Sequence, residues 1–296
     1  MYFIPKYKRG IFNRYHKQMP VFERFTKDMS HLFISIKNWI KNGFTNKTLL
    51  VHPHYPSRGS TIYKVAKELG LNVSNKPSSS VVLAVYWEYL TFREEYHLLE
   101  NQRKWKVVNL HSRDISKKYV DEVFESIFGY CTTIDPLTYT GKIVRKNDIN
   151  ATHDGVVLQG PLNESDPAFI YQILIDNTEE DVLVDIRVPV VGGLIDFVYL
   201  KHRPAVEQFY GKAVKSRIKS PEELLSKKEI ELLNTFCKKL QLDYGELDVL
   251  RDNQSGKIYV VDVNNTSQGP PPSMLPGEDT RAIQKMANQF KRAFLN

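Results

Sequence analysis

Two strand-like runs near the C-terminal end carry the residues best suited to metal and phosphate chemistry. They are Gly245-Glu246-Leu247-Asp248-Val249-Leu250-Arg251-Asp252 and Lys257-Ile258-Tyr259-Val260-Val261-Asp262-Val263-Asn264-Asn265, joined by a polar turn containing Gly256. Their β-branched and aromatic content suits a hairpin. Side chains alternate along a strand, so Val260, Asp262 and Asn264 share one side, and Asp248 can face that side from the neighbouring strand. Two carboxylates and a carboxamide oxygen then converge. Such hard oxygens suit Mg²⁺, which fills the rest of its shell with waters and phosphate oxygens. The same residues also read as a plain hairpin with solvated acids, and the hairpin alone does not separate the two readings.

A second group could handle phosphate. The strand Lys142-Ile143-Val144-Arg145-Lys146 runs into the polar loop 147–155, which returns through Val156-Val157-Leu158. The loop could close over phosphates with backbone N–H groups, with Lys146 reaching in as a point charge; a simple hairpin connection would look much the same. It lacks the Gly-x-x-x-x-Gly-Lys-Ser/Thr pattern, so Walker-type chemistry is not expected. Further on, Asp185 and Arg187 share one strand face, and Lys201-His202-Arg203 end the next strand. Crowding these cations is costly unless an anion is present, although a solvated surface cluster is the competing reading. His52 and His54 could form a metal pair, but no third ligand lies nearby, which favours surface histidines. Cys131 and Cys237 lack metal-ligand spacing and read as small buried hydrophobes in a reducing compartment.

These residues need elements to hold them. Thr48 to Val51, the apolar run 81–87 and Lys106 to Leu110 read as strands around a helix that begins at Ser60 and stops at Gly70, a β-α-β unit with a parallel sheet. A helix follows Asp114-Ile115-Ser116-Lys117, with Asp114 as its cap and Gly129 as its stop. Apolar strands are expected over 169–175 and 182–191, and a polar connection, expected to be mobile, over 208–220. Ser220-Pro221-Glu222-Glu223 opens a core helix with a capping box, and a last helix starts near Asp279.

At 296 residues, 42% hydrophobic and 25% charged, the composition is that of a soluble globular protein with a substantial core. Net charge is +7. A basic balance invites a nucleic-acid reading, but no DNA- or RNA-binding motif is present, so no nucleic-acid partner is expected; phosphorylated ligands or an anionic membrane surface explain the charge equally well. Residues 1–47 read as an appendage, not a signal peptide. Phe22, Phe25, Met29, Leu32, Phe33, Ile36, Trp39 and Ile40 recur at helical spacing over 21–42, with Gly43 as a stop. This stripe either packs on its own protein or makes a peripheral membrane contact.

Taken in order, Asp185-Ile186-Arg187-Val188, Gly192-Gly193, a strand ending in Arg203, Leu247-Asp248-Val249-Leu250-Arg251 and Val261-Asp262-Val263-Asn264 resemble the ATP-grasp superfamily, in particular its ribosomal-protein-modifying glutamate ligases. The match is strongest over 185–264 and looser over 114–269. It implies an α/β (α+β) ATP-grasp fold with four parts: the basic helical segment 1–47, a Rossmann-like lobe 48–112, a central lobe 113–175, and a C-terminal lobe 176–296 with the metal site. By that resemblance Asp248, Asp262 and Asn264 are the Mg²⁺ ligands, and Lys117 and Lys146 contact ATP phosphates. Gln172, Ile173, Leu174 and Ile175 form the adenine hinge, Asp185 meets the ribose, Arg203 steadies the transferred phosphoryl group, and Arg187 faces the acceptor. The usual Glu at the second metal position is Asp262 here. The loop after Asn264 is longer and proline-rich.

The implied activity is an ADP-forming carboxylate–amine ligase working through an acylphosphate. A small-molecule kinase and a silent nucleotide-binding scaffold are the alternatives. Asp114-Ile115-Ser116-Lys117, Phe128-Gly129-Tyr130 and Asn150-Ala151-Thr152-His153-Asp154-Gly155 also resemble ATP-grasp proteins of bacterial surface-polysaccharide pathways. That implies amino acid or nucleotide-sugar substrates; a cytoplasmic location, read from the cysteines, and a homodimer complete the expectations.

Overall fold

The computed structural model describes residues 20–41, 43–44, 46–101, 104–152, 154–207 and 213–296. The basic run containing Lys6, Lys8, Arg9, Arg14 and Lys17 lies outside the described residues, as do 208–212 of the expected connection. Helix α1, Val21–Lys41, leads into strand β1, Thr48–Pro53. Helix α2, Thr61–Glu68, crosses over to β2, Asn72–Ser74, and the apolar run becomes β3, Val81–Trp87. After the short α3, His97–Glu100, comes β4, which spans only Val107–Val108 of the longer strand expected there. The sheet order is β2-β1-β3-β4 and every pairing is parallel. Leu83, Val85 and Trp87 on one face of β3 and Ala84 and Tyr86 on the other are fully buried, as a parallel sheet covered on both faces requires.

Helix α4, Lys117–Phe128, starts at Ser116, whose hydroxyl accepts from the Tyr119 N–H at 3.3 Å, and stops at left-handed Gly129 (φ 78°). The expected cap, Asp114, sits two residues before the observed cap, Ser116. Its carboxylate accepts from Ser116 N–H at 2.8 Å and shapes the turn before the helix. Strands β5, Gly141–Asn147, β6, Val156–Gly160, and β7, Phe169–Ile173, form an antiparallel sheet in the order β6-β5-β7.

The remaining strands build one larger antiparallel sheet. They are β8, Thr178–Glu179, β9, Val182–Val191, β10, Val198–Pro204, β11, Lys215–Lys219, β12, Tyr244–Arg251, and β13, Ile258–Asn264. The order is β11-β10-β9-β12-β13, with β8 on β9. The described part of the connection once expected to be mobile is therefore the edge strand β11. The single core helix expected from Ser220 is two helices, α5, Pro221–Leu224, and α6, Lys227–Lys239, each opened by its own Ser-x-x-Glu capping box at Ser220/Glu223 and Ser226/Glu229. The second box supplies caps for a new start, which ends α5 after one turn.

Period-2 alternation then divides the large sheet into two faces. Val188, Val190, Leu247, Val249 and Val263 pack under α4 and α6, against Val120, Phe124, Leu233 and Phe236. Helix α4, assigned from sequence to the central segment, thus shares its core with the large sheet. On the opposite face Val191, Phe197, Tyr199 and Tyr244 meet the parallel sheet and the C-terminal helix α7, Glu278–Phe294, through Ile283, Met286 and Phe290. Each large apolar side chain buried here contributes about 1.5–3 kcal/mol. What is left on that second face, toward β13, is charged, and it faces the three-stranded sheet.

Candidate active site

A cavity of about 580 Å³ opens between the three-stranded sheet and the charged part of the large sheet. All twelve site residues expected from the sequence line it. The opening hairpin supplies the acids. Asp248 on β12 and Asp262 on β13 are direct cross-strand partners, and a register shift follows at Val249. Gly245 permits this close pairing: a Cβ there would lie 2.7 Å from the Asn264 carbonyl oxygen.

The three oxygens are not equivalent. Asp262 Oδ1 is buried with no hydrogen-bond partner. Burial, and then the Asp248 charge, push its carboxyl up to about 6. Asn264 Oδ1 accepts from Thr266 N–H at 2.9 Å and from the Thr266 hydroxyl at 3.3 Å, which fixes the carboxamide. Asp248 is clamped by Arg187, Nε to Oδ1 at 2.9 Å and Nη2 to Oδ2 at 3.1 Å, with Lys201 Nζ 3.8 Å away. Burial would raise the Asp248 carboxyl, but Arg187 and then Lys201 hold it well below the usual carboxylate range. The donor set fits Mg²⁺: hard oxygens on adjacent strands, one of them buried and unpartnered.

Arg187 does more than the resemblance implied. Its Nη1 lies 3.7 Å from Glu246 Oε2. Both carboxylate oxygens of Glu246 are buried without hydrogen bonds, and burial, with the neighbouring Asp248, pushes this group up to about 7. One guanidinium therefore serves two acids. Asp185, expected at the ribose, is also committed: it is buried, paired with Arg203 through both oxygens (Nη2 to Oδ1 3.1 Å), bonded by Asn177 Nδ2 at 3.1 Å, and 3.6 Å from Lys201.

The opposite wall carries the lysines. Lys146 on β5 and Lys117 at the start of α4 face Asp262 across the cavity. Burial, and then the Lys117 charge, hold the Lys146 ammonium down to about 8. Burial also lowers Lys117, against the pull of Asp262. Lys117 Nζ donates to Ile149 O at 2.9 Å and to Asn150 Oδ1 at 3.1 Å. Asn150 in turn donates to Ile115 O and Val263 O, and its N–H to Thr91 Oγ1. The loop expected as a lid is thus tied to α4, β13 and the N-terminal lobe at once. Residue 153 of that loop lies outside the described residues.

The hinge leaves β7 at Ile173. Gln172 is buried and donates to Thr132 Oγ1 at 2.5 Å, while Ile173 N–H bonds Thr132 O at 2.8 Å and Leu174 N–H bonds Lys142 O at 3.1 Å. Asp121, buried on α4, holds Thr132 and Thr133 through three donors, their two N–H groups and the Thr132 hydroxyl. Sequence reading missed Asp121 and Glu246, and took Lys201 only as part of the basic cluster 201–203. Only Glu246 carried a signal, its place two residues before Asp248 on the same strand face.

The other candidate ligands stay apart. His52 Nδ1 bonds Asn75 O at 2.8 Å and its ring packs edge-on to Tyr96. Cys237 is buried as expected, but Cys131 is only half-buried. Among the described residues, Glu95, His97 and Glu100 come within common reach of one ion, yet Arg113 already pairs with both glutamates.

No family model and no curated protein sequence matches the chain. Solved structures do. D-Alanine–D-alanine ligase from Bacillus anthracis is 12% identical with a TM-score of 0.51, covering 83% of this chain and 97% of that one. The RimK domain ATP-grasp protein from Sphaerobacter thermophilus is 10% identical with a TM-score of 0.51, covering 84% and 100%. The ATP-grasp ligase PsnB, solved with a minimal precursor, is 15% identical with a TM-score of 0.45 and covers 62% of this chain; the chain spans 64% of PsnB, under two thirds of its length. At such identities the likeness speaks to architecture, and the architecture is that of the ATP-grasp fold.

Proposed function

We propose, from the ATP-grasp fold as premise, that this protein is an ATP-dependent carboxylate–amine ligase releasing ADP and phosphate. One observation carries the reading: buried, unpartnered Asp262 Oδ1 stands opposite Asp248 in a cavity whose facing wall presents Lys117 and Lys146. Bound Mg²⁺ would act as Lewis acid and template for the β- and γ-phosphates, held by Asp248, Asp262 and Asn264.

A substrate carboxylate oxygen attacks the γ-phosphorus, the bond to the β-phosphate oxygen breaks, and ADP leaves. An amine nitrogen then attacks the acyl carbon, the carbon–oxygen bond to phosphate breaks, and the nitrogen gives up a proton as the amide forms. The protein's part is placement and charge neutralisation. Lys117, Lys146 and Arg203 offset phosphate charge, the backbone of 172–175 borders the adenine, and the docked loop 147–155 keeps water from the acylphosphate. Asp185 holds Arg203 in place through both oxygens, a positioning role that stands beside the expected ribose contact.

The test is direct. Purified protein with Mg²⁺ and ATP is screened with amino acids and amino- or carboxyl-bearing nucleotide sugars, following ADP and product mass. An amide product is expected. A product heavier by one phosphoryl group would make the enzyme a kinase, and failure to bind ATP would remove the whole reading.

Lys146 gives a pH test. Its ammonium is held down to about 8, so the protonated form that attracts phosphate is full below that pH and is lost as pH rises through it. Metal-free nucleotide affinity should be flat from about pH 6.5 to 7.5 and weaken by up to about tenfold per unit above pH 8. A profile flat to about pH 9.5 would take Lys146 out of the phosphate site.

A further inference from the structure

The Gln172 side chain is oriented from behind the cavity wall. Gln172 stands opposite Val144 in the pairing of β7 with β5, and both line the cavity with Lys146, which shares their face of the sheet. Gln172 Nε2 donates to Thr132 Oγ1 at 2.5 Å, and the Thr132 hydroxyl donates to Asp121 Oδ1 at 2.8 Å. Asp121 also accepts from the N–H groups of Thr132, at 2.9 Å, and Thr133, at 2.7 Å. This run of bonds has one direction. Backbone N–H groups only donate, so they keep Asp121 an acceptor, and the hydroxyl commits its single proton to the acid. Toward Gln172 the hydroxyl then offers lone pairs alone, and the amide must turn its NH₂ end to it. Oε1 is the end left for the cavity.

The lining around the hinge decides what meets that oxygen. Val184 N–H bonds Asn177 O at 3.0 Å and Asn253 N–H bonds Asp176 O at 2.7 Å, which draws the ends of β9 and β12 up to the hinge. Leu183 and Leu250 from those ends join Val144 and Ile175 in the cavity lining. Apolar side chains with a few fixed polar groups make a slot for a flat heteroaromatic ring. A ring whose edge reaches Gln172 meets a hydrogen-bond acceptor. An exocyclic amino group donates to it, whereas a carbonyl oxygen at the same place is repelled and leaves the buried amide oxygen unpaired.

We propose that Asp121, acting through Thr132, sets the Gln172 carboxamide so that the cavity takes a purine with a 6-amino group and rejects one with a 6-oxo group. Gln172 is the specificity-determining residue, and Asp121 is a positioning residue outside the cavity. The inference rests on the nucleotide reading of the cavity and not on the ligase chemistry. It has a sharp consequence for Asp121→Asn. The asparagine oxygen can keep the two N–H bonds while its NH₂ donates to Thr132 Oγ1, which frees the hydroxyl proton for Gln172 Oε1. The Gln172 amide then turns over and shows its NH₂ to the cavity, where a 6-oxo group accepts.

The test measures equilibrium binding of ATP and of inosine triphosphate, which carries a 6-oxo group, to the full chain with Mg²⁺. The parent is expected to bind ATP at least about a hundredfold more tightly. Thr132→Val removes the hydroxyl, leaves Asp121 its two N–H bonds and should cut that ratio at least about tenfold. Thr132→Ser restores a hydroxyl and should restore the ratio. Asp121→Asn should move the ratio toward inosine triphosphate further than Thr132→Val does, and the Thr132 pair decides if that variant fails to fold. A residue that only held the turn would weaken both nucleotides alike. Equal affinity of the parent for the two nucleotides, an unchanged ratio in Thr132→Val, or the parent ratio in folded Asp121→Asn would each overturn the proposal and leave the nucleotide reading standing. Binding of neither nucleotide by the parent would overturn both.

Discussion

Replacing Asp262 by asparagine is expected to lower ATP turnover by at least about 10²–10³-fold while leaving the protein as stable as before, or more so. The two effects have the same cause. Asp262 is a buried carboxylate with an unpartnered oxygen, next to another acid. Its carboxyl is pushed up to about 6, chiefly by burial. An acid whose folded pKa exceeds its unfolded value binds protons more readily when folded, so it costs stability above about pH 6, and asparagine removes that cost. The same charge is what a divalent ion needs. Turnover and thermal melting at pH 7.5, read on one preparation, separate the roles. Full activity in Asp262→Asn would mean that the metal reading is wrong, whereas a sharp fall in melting temperature would mean that Asp262 is structural.

Arg187→Met should act in the opposite direction, as a large loss of stability. The guanidinium clamps Asp248 and lies 3.7 Å from Glu246, an acid whose oxygens have no other partner. Removing one member of a buried ionic set leaves uncompensated charge and typically costs about 3–5 kcal/mol. For a chain of this size that corresponds to a fall in melting temperature of roughly 10 °C. The sign with pH follows from Asp248. Arg187 holds it below its unfolded value, so the stabilisation is present above the unfolded carboxylate range and fades as pH falls through the depressed value. The gap between parent and variant should therefore be wide at pH 7 and narrow in acid. Adding Glu246→Gln to the variant should restore part of the loss. A variant melting within about 2 °C of the parent would remove Arg187 as their counter-ion.

Much of this site was legible along the chain because strand alternation is a local rule. Knowing the strands places Asp248, Asp262 and Asn264 on one side, and Asp185 with Arg187 on another strand's corresponding face, before any tertiary contact is known. Lys146 at the end of its strand and the hinge after Gln172 follow from the same period and from the breaks at Asn147 and Asp176. Capping was readable for the same reason where the box was sought, and missed at Ser226 where a continuous apolar pattern seemed to carry one helix onward.

Pairing across the fold was a different matter. Which acid a given arginine serves depends on the distance between strands far apart in sequence, 61 residues for Arg187 and Asp248. Periodicity is silent about that distance. Asp121, whose carboxylate secures the turn beneath the hinge, looked from sequence like one more polar residue on a helix. Helix α1 makes the point most plainly: the residues alone determined an amphipathic helix with a basic lead, but an apolar stripe is the same whether it is buried or bare. Only the tertiary structure shows Asn38 buried and bonded to Glu68 while Phe22 and Phe33 are exposed.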